Sequence, residues 1–229
     1  MRKLLSSANS AIEGNLQSDS AACLMTAADL GYGVIVLNNV VPITTDFRSH
    51  RCPYKTPNNL NIIKRLTVVL SSVSQLPLLE HIQVAKLGYD ILALKPLNDS
   101  TFKAVCDKAE TSIISLDLTS SILNGSTKNA VKAAKDRNIW FEVEFAPFFR
   151  DQSSRQSIMT QSRQHLSNLT PNVFVSSAAK NPLELRTVSD LDNFGSAVLG
   201  LKGVSSQECG KALDAAVKRG MEWNGVHEA

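Results

Sequence analysis

The stretch LGYDILALKP, at residues 87–96, carries the signals from which the fold is predicted. Gly88 follows a helical pattern and suits a helix C-cap, where a left-handed backbone favours glycine. The apolar run at residues 91–94 is short and bounded by polar residues, which is typical of a buried strand. A second LGY triplet at residues 30–32 also precedes an apolar run. The sequence therefore predicts a repeated unit of helix, turn and strand.

Further strand-like runs recur on both sides of this stretch. The predicted strands lie at residues 33–37, 66–70, 91–94, 113–118, 139–145 and 173–177. Helical patterns lie at residues 20–30, 78–87, 101–109, 128–137, 155–169 and 206–219. Strands separated by helices at intervals of about 25–30 residues indicate βαβ units, which form parallel sheets with right-handed crossovers. We predict an α/β fold, a TIM-like (β/α) barrel of about seven parallel strands.

All 229 residues are expected to form one barrel domain, because no segment has the composition of a linker. Residues 41–60 are predicted to form a long surface loop. Residues 223–229 are predicted to form a frayed tail.

The composition excludes several classes of protein. With 43% hydrophobic and 20% charged residues, the chain is too apolar to be intrinsically disordered. The sequence contains no run of about 18 apolar residues, so it predicts no membrane-spanning segment. The four cysteines form no Cys-x-x-Cys pair, which argues against a zinc ribbon or a redox dithiol and favours a reducing compartment. Cys23 and Cys106 lie in apolar helical patterns and are predicted to be core residues.

Polar side chains recur where the predicted strands end. Because side chains alternate along a strand, one face of the strands carries Lys95, Asp117, Glu142, Glu144 and then Ser176. That face should point into the barrel, and the carboxyl ends of parallel strands carry function in such folds. The sequence therefore predicts an internal polar cluster at the carboxyl end.

Two interpretations of this cluster stay open. In the first, Asp117, Glu142 and Glu144 form an acid/base site or a carboxylate-only magnesium site. In the second, Lys95 and Arg186 neutralise the acids in an internal ion network, since buried charges need partners. None of the four histidines ends a predicted strand, so we predict the network and no metal.

Other catalytic and nucleotide-binding patterns are absent from the sequence. There is no Gly-x-Ser-x-Gly elbow, no Gly-x-Gly-x-x-Gly and no P-loop. Nucleophilic hydrolases and nucleotide-binding folds of these kinds are therefore not indicated.

Basic residues concentrate in the second half of the chain. Residues 128–163 contain seven Lys or Arg and four Asp or Glu, although the net charge of the whole chain is only +3. Arg150, Arg155, Lys180 and Arg186 follow two neighbouring strands, so they should lie on one rim of the barrel. Arginine's planar fork suits phosphate. We predict these four residues as a set that contacts a phosphate backbone, with Arg137 and Arg163 as second choices; the alternative is an ordinary solvated surface.

Several segments, in order, resemble one family. These are residues 65–70, 87–96, 113–118, 141–147 with the arginines that follow, 175–186 and 190–194. Together they resemble the thirty-kilodalton protein subunit of ribonuclease P and ribonuclease MRP, over roughly residues 20–215.

The resemblance implies a TIM-like barrel related to metal-dependent PHP phosphoesterases but without their histidine-rich metal site. It implies a non-catalytic, RNA-binding subunit, without a cofactor, of a ribonucleoprotein whose RNA carries catalysis. The reactions would be removal of precursor tRNA 5′ leaders and cleavage of precursor rRNA. Expected partners are the ribonuclease P or MRP RNA, precursor tRNA indirectly, and a Pop-five-type protein subunit. The expected location is the nucleus, including the nucleolus, with no membrane association.

Two alternatives to this function are a PHP-type phosphoesterase that uses the three acids above and a barrel that binds only proteins. The sequence also departs from the family at two places. Members begin with a short strand, and the first thirty residues here show none, so either the sequence is truncated or the barrel opens there. Ala178 replaces a family glycine, which should disfavour a positive φ at that turn.

Overall fold

The computed structural model describes residues 11–17, 19–43, 50–55, 60–81, 84–120, 122–123, 127–203 and 205–223. Its strands are β1 (Ala11–Leu16), β2 (Tyr32–Pro42), β3 (Ile62–Leu70), β4 (Ile91–Pro96), β5 (Ile113–Leu116), β6 (Trp140–Glu144) and β7 (Val173–Ser176). Its α-helices are α1 (Ala21–Asp29), α2 (Asp99–Lys108), α3 (Lys128–Asp136), α4 (Ala146–Arg150), α5 (Gln152–Gln161), α6 (Ser167–Leu169), α7 (Val188–Asn193) and α8 (Ser205–Trp223). Shorter 3₁₀ segments (Val73–His81, Val84–Leu87, Pro182–Glu184) and π-helical turns (Ser162–Leu166, Phe194–Val198) complete the elements.

The seven strands form one sheet in the order of the sequence, β1 to β7, and every neighbouring pair is parallel. This arrangement confirms the predicted α/β, TIM-like barrel. The edge strands β1 and β7 approach each other just beyond their ends, where the Gln17 amide donates a hydrogen bond to the Ala179 carbonyl at 2.9 Å. The sheet is therefore curled until its two edges meet.

The expectation that the first strand is absent is wrong. β1 pairs in parallel with β2, with Ala11 opposite Tyr32 and Leu16 opposite Leu37, and two register shifts interrupt the pairing. The segment AIEGNL shows little apolar alternation, so its sequence does not indicate a strand. Pairing with β2, rather than intrinsic propensity, makes it one. Leu16, whose side chain is fully buried, supplies the packing at its end.

The outer face of the sheet packs against the helices. Leu94 and Phe141 join Phe102 and Cys106 of α2 in the largest apolar cluster. α2 begins where the Asn98 side chain accepts a hydrogen bond from the Thr101 amide at 2.9 Å. Cys23 and Cys106 are fully buried, which confirms them as core residues.

α8 closes the amino-terminal end of the barrel. Four of its residues pack against the inward-facing apolar residues at the start of the strands: Cys209, Ala212, Leu213 and Ala216 against Val34, Ile63, Ile91, Ile113, Trp140 and Phe174. Near the end of α8, a Cβ on Gly220 would lie 2.4 Å from the Asp90 carbonyl oxygen, so only glycine allows this approach. The amino-terminal part of the barrel interior is therefore apolar.

Some predicted boundaries differ from the structure. The helix expected at residues 78–87 is instead two 3₁₀ segments, the first of which contains Pro77, whose missing N–H disfavours a regular α-helix. β2 extends through Pro42, into the predicted loop, and Trp223 ends α8. Residues 44–49 and 56–59 of that loop and 224–229 of the tail lie outside the described residues. Among the described helices, none is both long and apolar enough to cross a membrane.

Candidate functional site

An ion pair lies in the middle of the barrel interior. The Arg65 guanidinium on β3 donates to both carboxylate oxygens of Glu142 on β6, at 2.7 and 2.5 Å. Its Nε donates to the Thr67 hydroxyl at 3.0 Å, and that hydroxyl donates to Asn38 at 2.7 Å. Arg65 is 1% exposed and Glu142 is fully buried, so each charge depends on the other for its stability.

Burial alone would raise the pKa of the Glu142 carboxyl. The attraction of Arg65, and the hydrogen bonds that Arg65 donates, outweigh burial and hold that pKa below its usual value. Glu142 is therefore an ionised acceptor near neutral pH rather than a proton donor.

A second polar layer lies nearer the carboxyl ends of the strands. Lys95 on β4 donates to Glu144 at 3.0 Å, and Ser115 on β5 donates to the other oxygen of Glu144 at 3.1 Å. Burial would lower the pKa of Lys95, but the neighbouring Glu144, Asp117 and Glu142 raise it. Lys95 is therefore a cation that neutralises the acidic side chains at the carboxyl end of the barrel interior, which we call the mouth.

The structure places Lys95, Glu142 and Glu144 in the barrel interior, whereas the Asp117 carboxylate accepts hydrogen bonds from Thr119 instead. The expected partner of Glu142 was wrong. Glu142 is neutralised by Arg65 and not by Arg186, which lies outside the barrel and donates to the carbonyls of Leu183 and Leu185 at 2.7 Å. The signal for Arg65 was present in the sequence. Arg65 and Thr67 alternate with apolar residues along β3, which places both on the inward face.

Hydrogen bonds engage two of the three acids of the alternative metal site, Glu142 and Glu144. Both oxygens of Glu142 accept from Arg65, and both oxygens of Glu144 accept from Lys95 and Ser115. In the described ranges, no group of three or more His, Cys, Asp or Glu side chains could hold a metal ion. The arrangement is that of paired charges.

The loops after β6 and β7 are joined on the rim of the barrel. Arg150, at the end of α4, donates to both carboxylate oxygens of Glu184, at 3.0 and 2.9 Å. It also donates to the Ala178 carbonyl at 3.2 Å. The hydrogen bonds from Arg150 lower the pKa of Glu184, and Glu184 raises the pKa of Arg150. Arg150 therefore holds the two loops together.

Phenylalanines form a platform beside this ion pair. Phe148 and Phe149 are 5.4 Å apart between ring centroids, and both contact a phenylalanine of the chain, Phe194 or Phe145, at 4.6–4.9 Å. The guanidinium of Arg155 lies 5.5 Å from the Phe148 ring, and that of Arg186 lies 5.2 Å from the Phe149 ring. Phe149 is 47% exposed, although large aromatic side chains are usually covered.

The loop after β7 brings Lys180 to the same rim. Its side chain is exposed, and its backbone amide donates to Glu184 at 2.8 Å. The preceding Ala178 has a φ of +51°, contrary to the expectation for alanine. This fully buried residue accepts the hydrogen bond from Arg150 through its carbonyl. Arg150, Arg155, Lys180 and Arg186 thus lie together, as predicted.

The two second-choice arginines lie elsewhere. Arg137 follows α3 and donates to the carbonyls of Cys106 and Ala109 at the end of α2, so it lies at the amino-terminal end of the barrel, away from the rim. Arg163 is exposed in the π-helical turn that follows α5.

The chain matches the family model described as RNase P subunit p30 over residues 10–227. Protein GAMETOPHYTE DEFECTIVE 1 of Arabidopsis thaliana is 28% identical over 218 residues, which cover 90% of this chain and 34% of that protein. The chain therefore spans about a third of that relative's length. Ribonuclease P protein subunit p30 of Mus musculus is 26% identical over 188 residues, covering 74% of this chain and 69% of the mouse protein.

A solved structure has the same fold. A chain in the cryo-EM structure of archaeal Ribonuclease P with mature tRNA superposes with a TM-score of 0.67 at 13% identity, covering 92% of this chain and 91% of that chain. Because the family model matches residues 10–227, the chain belongs to the RNase P subunit p30 family.

Proposed function

We propose that this chain is an RNA-binding, non-catalytic protein subunit of ribonuclease P, and that it serves ribonuclease MRP as well. In this role it supports removal of the 5′ leader from precursor tRNA and processing of precursor rRNA, while the RNA of the particle carries catalysis. Family membership supports a place in the particle.

One observation carries the RNA-binding part of the proposal, namely the stacking of rim arginines on partly exposed aromatic rings. Arg155 and Arg186 lie over Phe148 and Phe149, and Phe149 is 47% exposed. Unpaired bases stack on aromatic rings and on guanidinium planes, while phosphates attract the cations. The rim offers both kinds of contact on adjacent loops.

The paired acids support the non-catalytic part. A carboxylate that accepts from an arginine through both oxygens has a depressed pKa and cannot serve as a general acid near neutral pH. Binding a metal at Glu142 would require breaking that buried pair, which is costly.

The partners follow from the same role. The chain binds the ribonuclease P or MRP RNA directly and precursor tRNA indirectly, and it assembles with a Pop-five-type protein subunit in the nucleus, including the nucleolus. The structural neighbour comes from archaeal Ribonuclease P with mature tRNA, which supports such an assembly.

Salt-dependent binding tests the proposal. The variants Arg155→Gln, Lys180→Gln and Arg186→Gln are titrated with the ribonuclease P RNA of the same organism between about 50 and 200 mM salt. Each lost phosphate contact should lower the slope of log affinity against log salt concentration by about one unit. Lys132→Gln, which removes an exposed cation from α3, is the matched control and should leave the slope unchanged.

Equal slopes for wild type and for a variant that combines Arg155→Gln, Lys180→Gln and Arg186→Gln would contradict the assignment of the rim. Hydrolysis of model phosphodiesters to an alcohol and a phosphomonoester by the RNA-free chain with Mg²⁺ or Mn²⁺ would contradict the non-catalytic role. Crosslinking of the intact particle that joined the chain only to proteins would favour the protein-binding alternative.

A further inference from the structure

A separate pocket of about 270 Å³ lies between the loop after β5 and helix α5. Six side chains line it, and each is neutral and carries a hydroxyl or a carboxamide: Thr119, Ser120, Gln156, Ser157, Thr160 and Gln161. No lining residue is charged, apolar or aromatic. The pocket is distinct from both the ion network inside the barrel and the four basic residues of the rim.

The loop side of the pocket is held in place by Asp117. The hydroxyl of Thr119 donates to the Asp117 carboxylate, and the hydroxyl of Ser120 donates to the Asp117 carbonyl at 3.2 Å. Because the protons of these hydroxyls are engaged, their lone pairs remain as acceptors for a bound group.

The helix side of the pocket is open to a ligand. Within the part of the chain that the structure describes, no hydrogen bond to the protein engages the side chains of Gln156, Ser157 or Thr160. Gln156 and Thr160 are exposed, and Ser157 is half-buried. A carboxamide and two hydroxyls on one helical face supply both donors and acceptors.

This lining selects a small, uncharged, hydrogen-bonding occupant. An apolar group would leave the hydroxyls and carboxamides unpaired, and an anion would find no cation inside the pocket. The volume lies just below the about 300–1,000 Å³ of pockets for drug-sized ligands, which suits one nucleobase with its ribose. Adenine is the base that a glutamine carboxamide pairs with through two hydrogen bonds.

One cation lies on the same side of the helical segment as the pocket residues. Arg163 follows Thr160 by three residues and is exposed, whereas the Arg155 guanidinium lies over the Phe148 ring. A nucleotide whose base lay in the pocket would bring a phosphate toward Arg163.

We propose that this pocket receives one unpaired adenosine of the RNA, with the Gln156 carboxamide reading the base and the hydroxyls of Ser157 and Thr160 completing the contacts. This inference rests on the proposed function, because it assumes that the chain binds RNA. It adds a base-specific contact to the electrostatic contacts of the rim.

The test uses the full chain, the ribonuclease P RNA of the same organism, and the variants Gln156→Leu and Thr160→Val. Both residues are exposed, so the variants should melt at the wild-type temperature. Each should weaken RNA binding by about tenfold without changing the salt slope, since no phosphate contact is lost. Acylation of 2′-hydroxyls should show an unpaired adenosine that wild type protects and the variants leave reactive.

The control is Gln164→Leu, which changes an exposed glutamine outside the lining and should bind like wild type. Replacing the protected adenosine by uridine should weaken the wild-type complex but not weaken the Gln156→Leu complex further. Wild-type affinity in both pocket variants, with the salt slope of wild type retained, would overturn the pocket and leave the rim intact. Failure of the wild-type chain to bind the RNA at all would overturn the proposed function itself.

Discussion

Inside the barrel, Arg65 and Glu142 hold each other through two hydrogen bonds and have almost no exposed surface. On the rim, Arg155 and Lys180 are exposed, and the Arg155 guanidinium lies over the Phe148 ring. The two regions carry similar residue types at different depths in the barrel. Burial decides their roles, because a buried charge must be neutralised within the fold, while an exposed one can be neutralised by a ligand.

The largest effect is expected from breaking the buried pair. Glu142→Gln leaves the Arg65 guanidinium buried without a counter-charge, so the free energy of unfolding should fall by about 3–5 kcal/mol. The double variant Arg65→Met with Glu142→Leu, which removes both charges, should lose much less. Urea unfolding of the wild type, Arg65→Met, Glu142→Leu and the double variant measures this coupling. Additive losses would show that the pair does not act as a unit.

Acid should weaken the same pair. The pKa of Glu142 in the fold is lower than its ordinary value of 4.5, so the ion pair contributes its full stability above that value. The contribution is lost as the pH falls below 4.5 and through the lowered pKa of the folded chain. Urea midpoints measured from about pH 7 down to about pH 3 should fall more steeply for the wild type than for the double variant. Parallel curves would contradict the assignment of the pKa.

The pair at the mouth should give an intermediate effect. The side chains of Lys95 and Glu144 are 17% and 8% exposed, so water can partly replace a lost partner. Lys95→Met should lower the free energy of unfolding by about 1–3 kcal/mol, because Glu144 then keeps, within the described part of the chain, only the hydrogen bond from Ser115. Thermal unfolding measures the loss. A loss as large as that of Glu142→Gln would mean that the mouth is as dry as the middle of the barrel.

The sequence predicted the inward polar face correctly because the alternation of strand residues is a local property. It did not predict which cation faces Glu142, since pairing across the barrel between β3 and β6 depends on the curl of the sheet. The sequence did not predict β1 for a similar reason, because its segment becomes a strand through pairing with β2. The rim arginines were placed together because loops after neighbouring parallel strands must lie at one edge.

A rim arginine with an internal partner should behave like an interior residue. Arg150 donates to both oxygens of Glu184, whereas Arg155, among the residues that the structure describes, donates only to the Phe148 carbonyl at 3.3 Å. Arg150→Gln should cost about 0.5–1 kcal/mol of stability, since its side chain is 33% exposed, and it should change the salt slope of RNA binding less than Arg155→Gln does. Melting and RNA titration of both variants separate the two roles. The opposite ranking of salt slopes would place Arg150 against phosphate.

The smallest effect is expected at Ala178, where the two regions meet. Its φ of +51° is unfavourable for a residue with a Cβ, by about 1–2 kcal/mol, while glycine adopts it freely. Ala178→Gly relieves that cost. It also removes a fully buried methyl group and raises the conformational entropy of the unfolded chain, and both of these effects lower stability. The net gain in stability should therefore be at most about 1 kcal/mol. Ala179→Gly, one residue further on and without a positive φ, is the matched control and should lose stability. If both glycine variants were destabilised equally, the left-handed conformation of Ala178 would carry no strain, and the loop that presents Lys180 would be set by Arg150 and Glu184 alone.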